Sequence, residues 1–288
     1  MSFTSKPSPR ARRVQALISE GLLYVSLALF ASIVLFPYLW MVLASFKPSA
    51  EIFTAHARLL PVQWTLDNYR VVLAQDVFLR SIFNSVIVTL CGVCLEVVTA
   101  FLGAYAFAKL DFWGKDFLFA FILGTMMIPP QVLMLPSYLL ITQLGWQDTY
   151  AGLTIPRAGA AFAIFLLRQF MLTVPQELDD AAQIDGAGVL MRMISLYVPV
   201  CLPSIVTVAV FSMLGFWNDY YWPLVVTSDR QMRTVALGIA QFKNLEGMGN
   251  WELIMAAAIL ATLPMLVVYI FARKTLIENL TAGALHGR

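Results

Sequence analysis

Charge is scarce in this chain. Only 12% of its 288 residues are charged, against 60% hydrophobic residues and a mean hydropathy of +0.77. Soluble domains carry about 25% charged residues, so that class is excluded. The net charge of +2 is too small to point to nucleic acid. Histidine is nearly missing. His56 and His286 both lie outside the apolar runs, which argues against an intramembrane enzyme with a histidine base and against a metal site. The three cysteines, Cys91, Cys94 and Cys201, all fall inside apolar runs. Cys91 and Cys94 make a CxxC without polar or histidine neighbours, and they read as small packing residues. The chain holds no GxxxxGK[ST], so it has no phosphate loop of that kind. Strand patterns, low-complexity tracts and internal repeats are also lacking.

What the chain does have is long apolar runs. A membrane helix needs about 20 apolar residues. Six stretches qualify: 20–45, 83–108, 117–141, 150–170, 197–218 and 252–272. The fold class expected is therefore an all-α polytopic membrane protein with about six transmembrane helices. It divides into an interfacial N-terminal segment (1–19), a transmembrane domain (20–272) and a C-terminal tail (273–288). Arg10, Arg12 and Arg13 before the first run look like the start of a signal peptide. The run is too long for one and shows no small-residue cleavage site, so it reads as a retained span. Residues 10–19 can lie along the inner surface, basic side chains towards the head groups.

Lys and Arg in short loops set the orientation. With the N-terminus inside, Lys6, Arg10, Arg12, Arg13, Lys109, Lys115, Arg168, Arg192, Arg273 and Lys274 all lie in the cytoplasm. The other face keeps Lys47, Arg58, Arg70, Arg80, Arg230, Arg233 and Lys243, mostly in longer loops. Both termini and residues 173–195 are thereby placed in the cytoplasm. Trp64, Tyr69 and Phe78 in the first outer loop suit a membrane interface.

Residues 173–203 read TVPQELDDAAQIDGAGVLMRMISLYVPVCLP. Four carboxylates, Glu177, Asp179, Asp180 and Asp185, crowd between two apolar runs. Thr173 and Gln176 fit a capping box, and Pro175 fits a first turn. Gln176 to Ile184 reads as a short helix with acids near its positive end. Asp185-Gly186 breaks it. Ala187 to Ser195 can form a second helix at an angle to the first. Ala181, Ala182, Gly186, Ala187 and Gly188 are small enough to let another surface approach. An ordinary polar loop between spans also fits these residues.

The stretch Glu-Leu-Asp-Asp-Ala-Ala-Gln-Ile-Asp-Gly-Ala (177–187), with Pro199 and Pro203 after it, resembles the EAA loop of ABC-importer permeases. The variant is similar to that of carbohydrate importers of the maltose and glycerol-3-phosphate type. KPSAEIF, TLDNY and Phe83-Asn84-Ser85 in or near the first outer loop echo the same family. So do the turn around Gly114, FWNDYYWP (216–223) and the tail LTAGALHG (280–287). The family has Glu where this chain has Asp180. The resemblance implies the type I permease fold. It implies that Glu177, Asp179, Asp180, Ala181, Ala182, Asp185, Gly186 and Ala187 couple to an ATPase. It further implies that the outer loop lies near a docked solute-binding protein.

Other residues suggest a path. Glu96 sits near mid-depth, where a carboxylate must face protein or water or be protonated. A path residue and a hydrogen-bonded packing glutamate both fit it. Pro129-Pro130 removes two backbone donors within a span, marking either a gate or a static kink. Arg157 lies about two turns in from Tyr150. It either snorkels to the interface or points into the path, where it would suit a carboxylate or phosphate on the cargo. Asn218, Asp219, Tyr220 and Tyr221 mix aromatic faces with hydrogen-bonding groups, which suits a sugar or an interfacial belt alike.

The leading expectation is the pore subunit of an ATP-driven, binding-protein-dependent importer for a carbohydrate, whether an oligosaccharide (neutral or acidic) or a sugar or glycerol phosphate. It would work in the bacterial inner membrane and hold no cofactor itself. ATP and Mg would be bound by a separate ATPase pair. The other partners expected are a second permease chain, a periplasmic or lipid-tethered binding protein and membrane lipid. An ion-coupled secondary transporter is the alternative. It would need intramembrane coupling groups and usually repeats.

Overall fold

The computed structural model describes residues 9–52, 58–243 and 250–285, with side chains for 18–52, 58–243 and 250–274. The basic N-terminal residues, both histidines, Phe53 and the LTAGALHG tail lie wholly or in their side chains outside the described residues.

In lipid a backbone must satisfy its own donors and acceptors, and the chain does so with helices. These are α1 (Pro9–Ser45), α2 (Ser49–Ile52), α3 (Asp67–Leu73), α4 (Asp76–Lys109), α5 (Lys115–Thr125), α6 (Pro130–Gln143) and α7 (Tyr150–Thr154). They continue as α8 (Ala161–Thr173), α9 (Gln176–Ile184), α10 (Val189–Arg192), α11 (Val198–Trp217), α12 (Tyr221–Val226), α13 (Val235–Ala240) and α14 (Trp251–Leu285). No strand occurs among the described residues. Ile18–Ser45, Asp76–Lys109, Val189–Trp217 and Trp251–Lys274 are each long and apolar enough to cross a membrane. Two bent pairs, α5 with α6 and α7 with α8, bring the number to six if each pair is one span.

The breaks differ from the sequence expectation. Pro129-Pro130 does more than kink a helix. The axes of α5 and α6 meet at 98°. Pro129 is extended (ψ 131°) and α6 starts at Pro130, the first-turn position where a missing N–H costs nothing. The run 150–170, expected as one span, bends by 48° between α7 and α8. Pro156 and Gly159 lie in that bend, and the Thr99 hydroxyl donates to the carbonyl of Ala158 there. A side chain from α4 thus replaces the helical donor that the bend removed. Third, the second short helix expected over 187–195 does not stop before the fifth span. A π-turn at Met193–Tyr197 joins it to α11, so one apolar helix runs 29 residues from Val189 to Trp217.

The central element is α4. It packs against α8 and α11, while α14 packs against α1, α3 and α11. One core gathers Phe101, Tyr105, Leu167, Met171, Tyr197 and Cys201. A second gathers Val72, Phe78, Trp217, Val235 and Phe242. Phe78 is fully buried there, not set at the membrane interface as its place in the outer loop suggested. Its ring meets Phe242 edge-on at 5.7 Å. Most of α1 stays exposed as apolar surface, the surface that lipid tails solvate.

Asn84 closes one end of the bundle. Its amide donates to the carbonyls of Gln231 (2.6 Å) and Arg233 (3.0 Å), and its side-chain oxygen accepts from Tyr150 Oη at 2.8 Å. Ser85 Oγ accepts from the Val235 amide at 2.7 Å. Both side chains are buried, so they brace the 231–235 segment and present nothing to an approaching protein. Asp148 adds a second tie, with Oδ1 accepting from the amides of Ser228 (2.7 Å) and Asp229 (2.9 Å).

Helix α4 approaches α11 closely only because position 92 is glycine. A Cβ there would lie 2.5 Å from the Phe216 ring. Gly92→Val is expected to cost about 2 kcal/mol through overpacking. Thermal melting of the purified protein in detergent should show it. Gly124→Ala, where a Cβ meets open space, should leave the melting temperature unchanged.

Candidate functional site

The acidic stretch forms two short helices joined by a tight turn. Val174 and Pro175 are extended (ψ 122° and 137°) and separate α8 from α9. The capping box does not form. Thr173 still belongs to α8, so its hydroxyl donates back to the Phe170 carbonyl at 2.7 Å. Gln176 instead donates to Asp180 one turn on, at 3.3 Å. Helix α9 spans Gln176–Ile184, with Glu177 and Asp179 in its first turn. It ends in a Schellman arrangement: Gly186 N–H donates to the Gln183 carbonyl and Ala187 N–H to the Ala182 carbonyl, both at 3.0 Å. Gly186 has φ +80°, the left-handed geometry that glycine takes without strain.

One ion pair holds the two helices together. Arg192 Nη1 on α10 lies 2.6 Å from Asp179 Oδ2 on α9, and the two side chains are only 12% and 6% exposed. Below them Tyr197 meets Tyr105 edge-on at 5.2 Å, and Lys109 sits 5.4 Å over the Tyr197 ring. Lys109 Nζ also donates to the Val174 carbonyl at 3.2 Å. Arg168 donates to the Phe107 carbonyl at 3.1 Å and lies 4.0 Å from the Phe119 ring centre. Two cations used to read orientation therefore double as clamps: Lys109 ties α4 to the link before α9 and to Tyr197, and Arg168 ties α8 to α4 and α5.

The eight residues of the acidic stretch thus part company. Asp179 turns inward. Ala182 and Ala187 are half-buried. Glu177, Asp180, Ala181, Asp185 and Gly186 face outward, beside Ile184, which is 86% exposed. Sequence reasoning missed the structural roles of Arg192, Tyr197 and Lys109. Arg192 was legible in one respect, as the one cation between the acids of α9 and the apolar run of α11.

The residues picked for a path gather around two cavities. One, of about 310 Å³, is lined by Pro130, Gln131, Ser137, Asp219, Tyr221 and Trp222 among others. The second, of about 340 Å³, is lined by Glu96, Phe162, Phe211 and Ser212 among others. Arg157 lines both. It neither snorkels free nor offers an open fork. Its Nη1 lies 2.5 Å from Asp219 Oδ2, and its guanidinium carbon lies 4.6 Å from the Phe216 ring centre. Glu96 Oε1 accepts from Ser212 Oγ at 2.7 Å. Pro129, Asn218 and Tyr220 do not line these cavities. Asn218 ends α11 with its amide on the Leu214 carbonyl at 3.0 Å. Tyr220 lies against Tyr221, ring centres 5.7 Å apart.

A helical bundle with broken spans, half-open cavities that hold a few charged groups and an exposed pair of short helices is the architecture of an integral-membrane transport subunit. The chain belongs to the family of binding-protein-dependent transport system inner membrane components, whose model matches residues 97–280. It is similar to the arabinooligosaccharides transport system permease protein AraQ of Halalkalibacterium halodurans, 33% identical over 279 residues, 96% of this chain and 100% of the relative. It is equally similar to the sn-glycerol-3-phosphate transport system permease protein UgpE of Brucella abortus, 33% identical over 271 residues, 91% of this chain and 96% of the relative. In fold it matches a chain of a bacterial ABC transporter involved in the import of the acidic polysaccharide alginate. That match has a TM-score of 0.80 at 24% identity, covering 94% of this chain and 99% of the other. The protein is a membrane permease subunit of the ABC-importer type, and these relatives give the ion-coupled reading no support.

Asp179→Asn would leave Arg192 buried opposite a neutral group. Breaking a buried pair from one side costs on the order of 3 kcal/mol. The expected outcome is a clear fall in melting temperature, together with faster proteolysis of the 173–195 segment. Glu177→Gln, at an exposed position, should change neither.

Proposed function

We propose that this chain is one half of a carbohydrate pore in the bacterial inner membrane, with both termini in the cytoplasm. A separate pair of ATPase subunits binds ATP and Mg, and this chain has no nucleotide site of its own. A second permease chain completes the pore. A periplasmic or lipid-tethered binding protein delivers the cargo. The relatives support a polyhydroxylated cargo, because their names specify arabinooligosaccharides and sn-glycerol-3-phosphate.

The observation that carries this reading is the construction of the 173–195 segment. Helices α9 and α10 form a rigid unit through the Asp179–Arg192 pair, and the unit presents Ile184, Asp180 and Asp185 outward. Through the π-turn it continues without interruption into α11, which carries Ser212 beside one cavity and ends next to Asp219. A displacement of the exposed end is thus transmitted along one helix to the cavities. ATP closes the ATPase dimer and carries α9 and α10 with it. The bundle then shifts between inward and outward access. The segment biases a two-state equilibrium, by as much as its contacts with the ATPase differ between the states.

Two measurements test this. Ile184→Asp is expected to leave the melting temperature unchanged while lowering recovery of the co-purified ATPase by about tenfold, as loss of an apolar anchor at an interface does. Full recovery of the ATPase with this variant would remove the proposed docking site. In cells, an Asp185→Cys chain should react with an impermeant thiol reagent only after the cytoplasmic face is opened. Reaction in intact spheroplasts would invert the topology.

A further inference from the structure

We propose that Asp219 sets the charge class of the cargo. By holding Arg157, it makes the passage between the two cavities fit for uncharged, polyhydroxylated saccharides and unfit for anionic ones. This inference rests on the carbohydrate-importer reading above and narrows it.

Arg157 forms a common wall of the two cavities, so cargo moving from one to the other passes it. Among the described residues lining them it is the one cation, set against two carboxylates, Glu96 and Asp219. The three groups carry no net positive charge whether Glu96 is ionised or neutral. The guanidinium is also engaged. Asp219 takes one nitrogen at 2.5 Å, the Gly215 carbonyl lies 3.5 Å from another, and the Phe216 ring covers a face. A carboxylate or phosphate on the cargo would seek the same fork. To reach it the cargo must displace Asp219 and leave that side chain, only 16% exposed, without its partner.

A neutral saccharide meets no such obstacle. It offers hydroxyl donors and apolar ring faces. Glu96 spends one oxygen on Ser212, and a carboxyl group keeps further acceptor sites. Tyr221 and Trp222 flank one cavity, Phe162 and Phe211 the other, and their ring faces suit the C–H faces of sugars. The chemistry present is acceptors and aromatic faces, with the single cation already neutralised.

The test uses the complete transporter, purified with its ATPase in lipid nanodiscs. The binding protein is left out so that its own selectivity does not enter. Two probes of equal length are titrated, neutral maltotriose and anionic trigalacturonate. The wild-type complex is expected to bind the neutral probe at least about tenfold more tightly. Asp219→Asn frees Arg157 and should shift the ratio of affinities towards the uronate by about tenfold. Arg157→Gln in the same background should return the ratio to the wild-type value, which separates charge from damage to the fold. A wild-type preference for the uronate, or a ratio unmoved by Asp219→Asn, overturns the proposal. ATP turnover by the wild-type complex on adding its binding protein is measured on the same preparation. Turnover with an unmoved ratio removes the charge selection alone, whereas no turnover removes the importer reading beneath it.

Discussion

Lipid offers a backbone nothing to bond with. Every N–H and C=O inside the bilayer must find a partner within the protein, and this constraint shapes all else in the chain. It explains why the described residues are helical and why each interruption is repaired. The Thr99 hydroxyl reaches the freed Ala158 carbonyl at one bend. At the other break, a proline opens α6 at the position where its missing donor is harmless. The breaks also leave room. Pro130 and Pro156, one from each bent pair, both line the cavity that Arg157 shares. Interrupted helices thus leave a cavity that straight ones would fill.

The second organising feature is the treatment of charge. Among the described residues, several of the few ionisable side chains are firmly tied down. Lys47 is buried with its ammonium on the Arg58 carbonyl (2.6 Å) and 4.7 Å over the Trp40 ring. Lys109, Arg168 and Arg192 are likewise paired with carbonyls, rings or Asp179. These are clamps between helices. Arg157 and Asp219 use the same chemistry beside the cavities, where Arg157 borders both and Asp219 one. Identical ion pairs therefore do different things, one binding α9 to α10 and one governing what can pass.

Much of the fold was legible because lipid imposes a simple code. Apolar length located the six runs, and Asp185-Gly186 located the end of α9, because a left-handed turn favours glycine. The capping box at Thr173 was misread, since the hydroxyl of a residue still inside α8 finds a helical carbonyl before it can cap the next helix. Phe78 was misread as interfacial because a ring in a loop looks the same whether it faces lipid or a core. The roles of Asn84 and Ser85 were also hidden, since their partners lie far along the chain at 150 and 231–235.

The sequence alone determined the class of molecule, the number of apolar runs, the acidic hinge and its family. These depend on local composition and on spacings of a few residues, which the chain carries directly. Only the tertiary structure decided that Asp179 turns inward to Arg192 while its neighbours face out, and that Arg157 is already matched by Asp219. Those outcomes depend on which helix faces which. A buried charge takes whatever partner the packing brings within reach, and for Arg157 that partner stands 62 residues away.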